Sequence, residues 1–216
     1  MIYNLGDQNS ILGTFIAELR HVEIQKDSLR FRHNLKRVAM LLGYEFSKTL
    51  DHVSDHVETP LGIAEVSVMK DDLVICSVMR AGLPMHQGLL DLFDRAGNAF
   101  VAAYRRSHKD GAFEINIDYI NCPDLEGKEL VITDPMLATG SSLIKTLEKL
   151  QEFGKPSRIS VISLIASNYG IRHLERQFPD VDIWVAAIDD ELTGKYYIVP
   201  GLGDAGDLAF GSKFEN

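Results

Sequence analysis

Three stretches of this 216-residue chain carry residue types at spacings that could do chemistry. In ELVITDPMLATGSS an apolar run ends in Thr133-Asp134, passes Pro135, Met136 and Leu137, and reaches Ala138-Thr139-Gly140-Ser141-Ser142. A helical pattern with Leu143, Leu147 and Leu150 follows. Small, hydroxyl-bearing residues at a helix N-terminus expose backbone N–H groups at the positive end of the macrodipole, which suits a phosphate monoester. The loop is not of the Walker type, since G-x-x-x-x-G-K-[ST] requires a lysine. Asp134, just before the cradle, is placed to accept from sugar hydroxyls or to approach Mg²⁺. An ordinary capped β-α turn has the same look, and the residues alone leave both readings open.

The second stretch, YIVPGLGDAGD at 197–207, contains Gly201, Gly203 and Gly206 at G-x-G-x-x-G spacing. A dinucleotide-binding turn needs a following helix, a further strand and an acidic residue about twenty positions on. The residues from 207 to 216 are too few for that unit, so a loop with bare, exposed backbone is the expectation. The third stretch is DHVSDH, where His52 and His56 stand four apart and would share a helix face with Asp51 or Asp55. With no H-E-x-x-H and no third ligand, a solvated polar face is expected there. His86 is read as a helix-surface residue, the acidic IDDEL run at 188–192 as a loop of solvated carboxylates, and Trp184 as core.

The elements that must position these residues change character along the chain. Leu35, Val38, Ala39, Leu42 and Phe46 recur at three- and four-residue steps after the basic RFRHNLKR, which predicts a helical N-terminal region over 1–62 closed by the turn TPLG. Ile63 to Val68 alternate as a half-buried strand. From Leu73 onward LVICSV, AFVAAY, ELVITD, ISVISLIA and DIWVAAI are short, Val/Ile-rich apolar runs, the pattern of parallel strands covered on both faces. Helix-like stretches separate them, so the expectation is an α/β fold with a mostly parallel central sheet flanked by helices. EINIDYI at 114–120 alternates and follows the polar SHKDGA, the pattern of a β-hairpin arm beside that sheet. In such folds ligands sit beyond the carboxyl ends of the strands.

Composition narrows the classes of function. With 45% hydrophobic and 25% charged residues the chain is an ordinary globular domain able to bury a core, and a single domain is expected. The net charge of -9 disfavours nucleic acid and anionic membranes as partners. Two cysteines without ligand spacing, an N-terminus without leader features and the absence of any membrane-length apolar run lead to the expectation of a cytoplasmic protein.

DPMLATGSS resembles the phosphoribosyl-diphosphate (PRPP) loop of type I phosphoribosyltransferases, and its Asp-Pro is similar to the uracil phosphoribosyltransferase branch. VMRAGLPMHQG at 78–88, AYRR at 103–106 and YIVPGLGDAGDLAFGSK at 197–213 match that family in order, as do LRFRHNLKRVAMLLGYE and ETPLG near the N-terminus. The resemblance implies transfer of the phosphoribosyl group of PRPP to N1 of uracil, giving UMP and diphosphate. It divides the single domain into a helical region at 1–62, a PRPP-binding core at 73–190 and a uracil-binding segment at 191–216.

The implied roles fall on particular residues. Asp134 would hold the ribose hydroxyls, and Met136, Leu137, Ala138, Thr139, Gly140, Ser141 and Ser142 the 5′-phosphate, with Pro135 also among the PRPP-binding residues. Arg80 and Arg105 would bind the diphosphate, a task that suits bidentate guanidinium groups; Arg106 is read as pointing to solvent. Ile198, Gly203, Asp204 and Ala205 would form the uracil slot, where bare backbone can pair with the C=O, N–H, C=O edge of the base. Asp204 would also reach PRPP, and with Arg105 it is the catalytic candidate. Mg²⁺ would arrive with PRPP rather than on protein ligands. Within the family some members respond to GTP and assemble into dimers or larger homo-oligomers, so both are implied here. Three departures stand out: Ser141 where a second glycine is usual, Pro84 after RAGL, and Leu208-Ala209 where a basic-aliphatic pair is common. A nucleotide-sensing protein that keeps the fold without catalysis is the competing class, disfavoured by intact counterparts of all the site segments.

Overall fold

The computed structural model describes residues 1–70, 72–107 and 113–212, with only the backbone described at 104–107 and 113–114. The chain begins with strand β1 (Ile2–Asn4), then helices α1 (Ile11–Arg20) and α2 (Ser28–Ser47). Two strands, β2 (His52–Thr59) and β3 (Gly62–Met69), come next. The core unit runs β4 (Leu73–Met79), α3 (Gly82–Leu90), β5 (Gly97–Ser107), β6 (Phe113–Asn121), β7 (Glu129–Thr133), β8 (Met136–Leu137) and α4 (Ser141–Leu150). It continues through β9 (Arg158–Ser167), α5 (Asn168–Gln177) and β10 (Asp182–Asp189), and ends with β11 (Glu191–Leu192), β12 (Ile198–Val199) and α6 (Ala205–Phe210).

The main sheet has the order β1-β10-β9-β7-β4-β5-β6, with β8 paired to β9 beyond the end of β7. All its pairings are parallel except β5 with β6, which closes the edge as an antiparallel arm. The alternation in EINIDYI is therefore that of an edge strand, while residues 108–112 of SHKDGA lie outside the described residues. The apolar runs are buried on both faces, as parallel strands wedged between helices must be. Ile75, Val131, Ile162 and Trp184 face a core shared with Phe31, Leu35, Leu42 and Phe46 of α2 and with Met85 and Leu89 of α3. Val74, Cys76, Ile132 and Val161 face the opposite core, filled by Leu143, Leu147 and Leu150 of α4 and Ile171 and Leu174 of α5. Trp184 is core, its ring stacked 3.9 Å from that of Tyr3.

Helix α2 starts where Asp27 accepts from the backbone N–H of Leu29 and Arg30, each at 3.0 Å. The helical reading of the whole 1–62 region needs correction, because helix ends at Ser47 and His52–Thr59 is a strand. TPLG is the turn of a two-stranded hairpin, with Thr59 Oγ1 donating to the Gly62 carbonyl at 2.9 Å. A four-residue step puts His52 and His56 on one side of a strand as readily as of a helix, since the strand period is two. They face Met69 and Glu65 across the hairpin, and both are exposed.

Candidate active site

The loop that follows β7 is held from three directions. Asp134 is partly buried, and its Oδ1 accepts from the Met136 N–H at 3.3 Å. Burial pushes its carboxyl up to about 7, with that one backbone hydrogen bond working in the opposite sense. Met136 and Leu137 then add to the sheet opposite Ile165 and Ala166. From behind, Ser167 Oγ donates to the Ala138 carbonyl at 2.5 Å while accepting from the Gly170 N–H at 2.8 Å. His173 Nδ1, from the middle of α5, lies 2.8 Å from the Thr139 carbonyl, so the N-cap and the body of that helix hold the two peptide groups. Gly140 turns the chain into α4 with φ 78°, a conformation favoured by glycine.

Ser141 is the first residue of α4, and the left-handed turn falls at Gly140 instead. The serine is thus compatible with the loop, since the position where a second glycine is usual needs no positive φ here. Thr139 Oγ1 accepts from the Ser141 N–H at 3.3 Å and lies 3.1 Å from Ser141 Oγ. Gly140, at the N-cap, has no side chain to cap the amides of Ser142 and Leu143. The first turn therefore presents N–H groups, the helix dipole and the hydroxyls of Thr139, Ser141 and Ser142, a set able to hold a phosphate monoester.

Parallel register brings the other candidates to the same edge. Ser77 is opposite Thr133, and Met79 is opposite Ala102, so β7 and β4 end near one edge of the sheet while β5 runs on past that edge to Ser107. Arg80 leaves β4 through a cis Met79–Arg80 peptide, and the turn behind it packs so tightly that a Cβ on Gly82 would meet the Thr133 carbonyl at 2.6 Å. Arg80 Nη2 pairs with Asp207 Oδ1 at 2.9 Å, and Nη1 donates to the Gly211 carbonyl at 3.2 Å. The backbone of Arg105 lies in β5 opposite Ile115, and that of Arg106 opposite Glu114; the side chains of these two arginines lie outside the described residues.

The GLGDAGD segment crosses this edge from the other side. Asp204 caps α6, its Oδ1 accepting from the Asp207 N–H at 2.9 Å. Asp207, one turn later, is the carboxylate that pairs with Arg80, and the sequence reading missed it. The signal was present as two aspartates three apart at a helix start. Gly203 has φ 94° and open space where a Cβ would be, so bare backbone faces outward at that point. Ile198 and Ala205 are buried, the first with its side chain in the core, which leaves its main chain as the part able to meet a ligand.

Two further expectations are overturned. Asp189, in IDDEL, is 7% exposed and paired with Arg20 rather than solvated, because β10 carries it beneath the glycine loop. His86 lies on the inner face of α3, 2.7 Å from Asn98 Oδ1 and against Phe100, and burial holds its imidazole below the usual range. Among the described residues no group of three His, Cys, Asp or Glu side chains could hold a metal, and no helix is long and apolar enough to cross a membrane.

A mostly parallel sheet with flanking helices, whose strand ends carry an Asp-Pro loop leading into a helix and an arginine turn, is of the type I phosphoribosyltransferase fold. The chain belongs to the uracil phosphoribosyltransferase family, whose model matches residues 7–212. It is 47% identical over 213 residues to the uracil phosphoribosyltransferase of Porphyromonas gingivalis, covering 98% of this chain and 99% of that one. Identity to the uracil phosphoribosyltransferase of Pyrococcus furiosus is 41%, covering 97% and 90%. The solved structure of the AQ2163 protein from Aquifex aeolicus is similar throughout, with a TM-score of 0.87, 30% identity and 98% of each chain covered.

Proposed function

We propose that this chain transfers the phosphoribosyl group of PRPP to N1 of uracil, forming UMP and releasing diphosphate. One observation carries the reading: the Asp134–Ser142 loop and Arg80 share one sheet edge, and an ion pair ties Arg80 to the GLGDAGD segment. In this reaction the C1–O bond to diphosphate breaks as the C1–N1 bond forms, and the proton of N1 is lost. Positive charge develops on the ribose and negative charge on the leaving group, so positioning and electrostatics supply most of the rate.

In our assignment, residues 136–142 hold the 5′-phosphate and Asp134 accepts from the ribose hydroxyls. Arg80 and Arg105 neutralise the diphosphate, with Mg²⁺ carried by PRPP. Ile198, Gly203 and Ala205 present main-chain groups to uracil, and Asp204 spans base and PRPP. Arg80 is pre-paired with Asp207, so it exchanges or shares that carboxylate when diphosphate enters. Both cysteines are free thiols, which suits a reducing, cytoplasmic setting. The exposed apolar residues of the β2-β3 hairpin, Val53, Val57 and Ile63 among them, suit self-association. GTP is the effector this reading names.

Base competition tests the assignment: with PRPP and Mg²⁺ present, uracil is consumed in preference to hypoxanthine and guanine. A purine outrunning uracil would overturn the slot. Parallel reactions with and without GTP show whether GTP raises the rate.

A further inference from the structure

Side chains from the N-terminal helices take part in holding the segment assigned to the base. Arg20, the last residue of α1, forms a two-pronged ion pair with Asp189, Nη1 to Oδ2 at 2.7 Å and Nη2 to Oδ1 at 2.9 Å. The same pair grips both polar groups of Gly201. Asp189 Oδ2 accepts from the Gly201 N–H at 2.9 Å, and Arg20 Nη1 donates to the Gly201 carbonyl at 3.1 Å. Gly201 has φ 54°, and a Cβ there would stand 2.1 Å from the Ile198 carbonyl, so the loop is already folded tightly back on itself.

The next carbonyls are held in the same way. Gln25, with its amide nitrogen turned toward them, donates to Leu202 at 3.0 Å and to Leu19 at 2.9 Å. Arg32 Nη1 donates to the Ala209 carbonyl at 2.6 Å. Three side chains of the N-terminal helical layer thus set the backbone on either side of Gly203 and Asp204. None of them lies in the segments that would touch PRPP.

We propose that Arg20 and Asp189 are positioning residues for base recognition, fixing Gly201 so that the main chain of Gly203 to Ala205 meets the pyrimidine edge in register. The proposal rests on the reading of 198–205 as the uracil slot. A guanidinium fork serves a carboxylate and a carbonyl together because its donors are planar and diverge; lysine keeps the charge and loses that geometry. Arg20→Lys and Asp189→Asn enzymes should show KM for uracil raised about tenfold or more, the scale of hydrogen bonds to charged groups. KM for PRPP should rise clearly less than KM for uracil, because Asp204 is only one of the groups assigned to PRPP and the phosphate loop is anchored separately by α5.

Steady-state kinetics with each substrate varied, alongside thermal melts, provide the test. Arg20→Lys is the milder change and keeps the test available if Asp189→Asn fails to fold. Folded variants with ordinary KM values for both substrates overturn the proposal, as does an equal rise in both. A Gly203→Val enzyme separates the two levels of the argument. Normal uracil KM in that variant overturns the slot and the positioning pair together. Impaired uracil KM there, beside normal Arg20→Lys and Asp189→Asn enzymes, overturns the pair alone.

Discussion

Gly170 stands at the start of α5, directly behind the phosphate loop, and Gly170→Ala is the most informative single change there. An added Cβ would lie 2.5 Å from the Ala138 carbonyl oxygen and 2.7 Å from that of Leu137, whereas ordinary contacts begin at 3.4 Å. Either the loop or the helix has to give by close to an ångström. Both obstacles are backbone, so no side chain can swing aside. Retreat of the loop would pull apart the Ser167–Ala138 and His173–Thr139 hydrogen bonds and shift the Thr139–Ser142 donors. Overpacking of this kind costs about 1–3 kcal/mol. If it falls on the loop, KM for PRPP rises roughly tenfold to hundredfold; if it falls on α5, the melting temperature drops by about 2–12 °C. Gly13→Ala is the control, since that helical glycine has nothing within 4 Å of the added carbon. It should leave kinetics unchanged and stabilise by about 0.5–1 kcal/mol. A Gly170→Ala enzyme with an unaltered melting temperature and an unaltered KM for PRPP would refute the packing argument.

Further tests follow from individual groups. Asp134, with its carboxyl raised to about 7 from an ordinary value of 3.8, is protonated in the fold over a range where the unfolded chain ionises. Its contribution to stability is therefore complete below about pH 4 and is lost as pH rises through 7, a swing of at most about 4 kcal/mol. Subtracting the stability profile of Asp134→Asn from that of the parent should isolate this slope, and a flat difference would contradict it. If Asp134 accepts from the ribose hydroxyls as proposed, its ionised form is the better acceptor, so PRPP affinity should improve between pH 6 and pH 8 with a midpoint near 7, and Asp134→Asn should abolish the trend. Asp207→Asn frees Arg80 from an ion pair whose partners are both more than a third exposed, so stability should change by less than about 1 kcal/mol. Affinity for PRPP, measured by titration, should change while uracil selectivity does not.

How much could be read from the sequence depended on whether the relevant partners were close in the chain. The strands from Leu73 onward were legible because their burial on both faces writes itself as unbroken apolar runs. The strand–turn–helix form of residues 129–150 was legible because its small residues are contiguous, from Ala138 to Ser142, between two apolar patterns. The ties among Arg20, Asp189 and Gly201, and between Arg80 and Asp207, were not. Each joins residues distant in sequence, and a charged side chain gives no local sign of the partner that will bury it. His86 was misread because one histidine among apolar helix residues looks the same whether Asn98 or water meets its ring. The helical reading of His52–Thr59 failed because a four-residue repeat fits strand and helix alike.

The most direct measurement is product formation. Enzyme incubated with uracil, PRPP and Mg²⁺ should yield UMP and diphosphate in equal amounts, with the ribose joined at N1 of the base. Absence of UMP at high enzyme concentration would contradict the account at its centre.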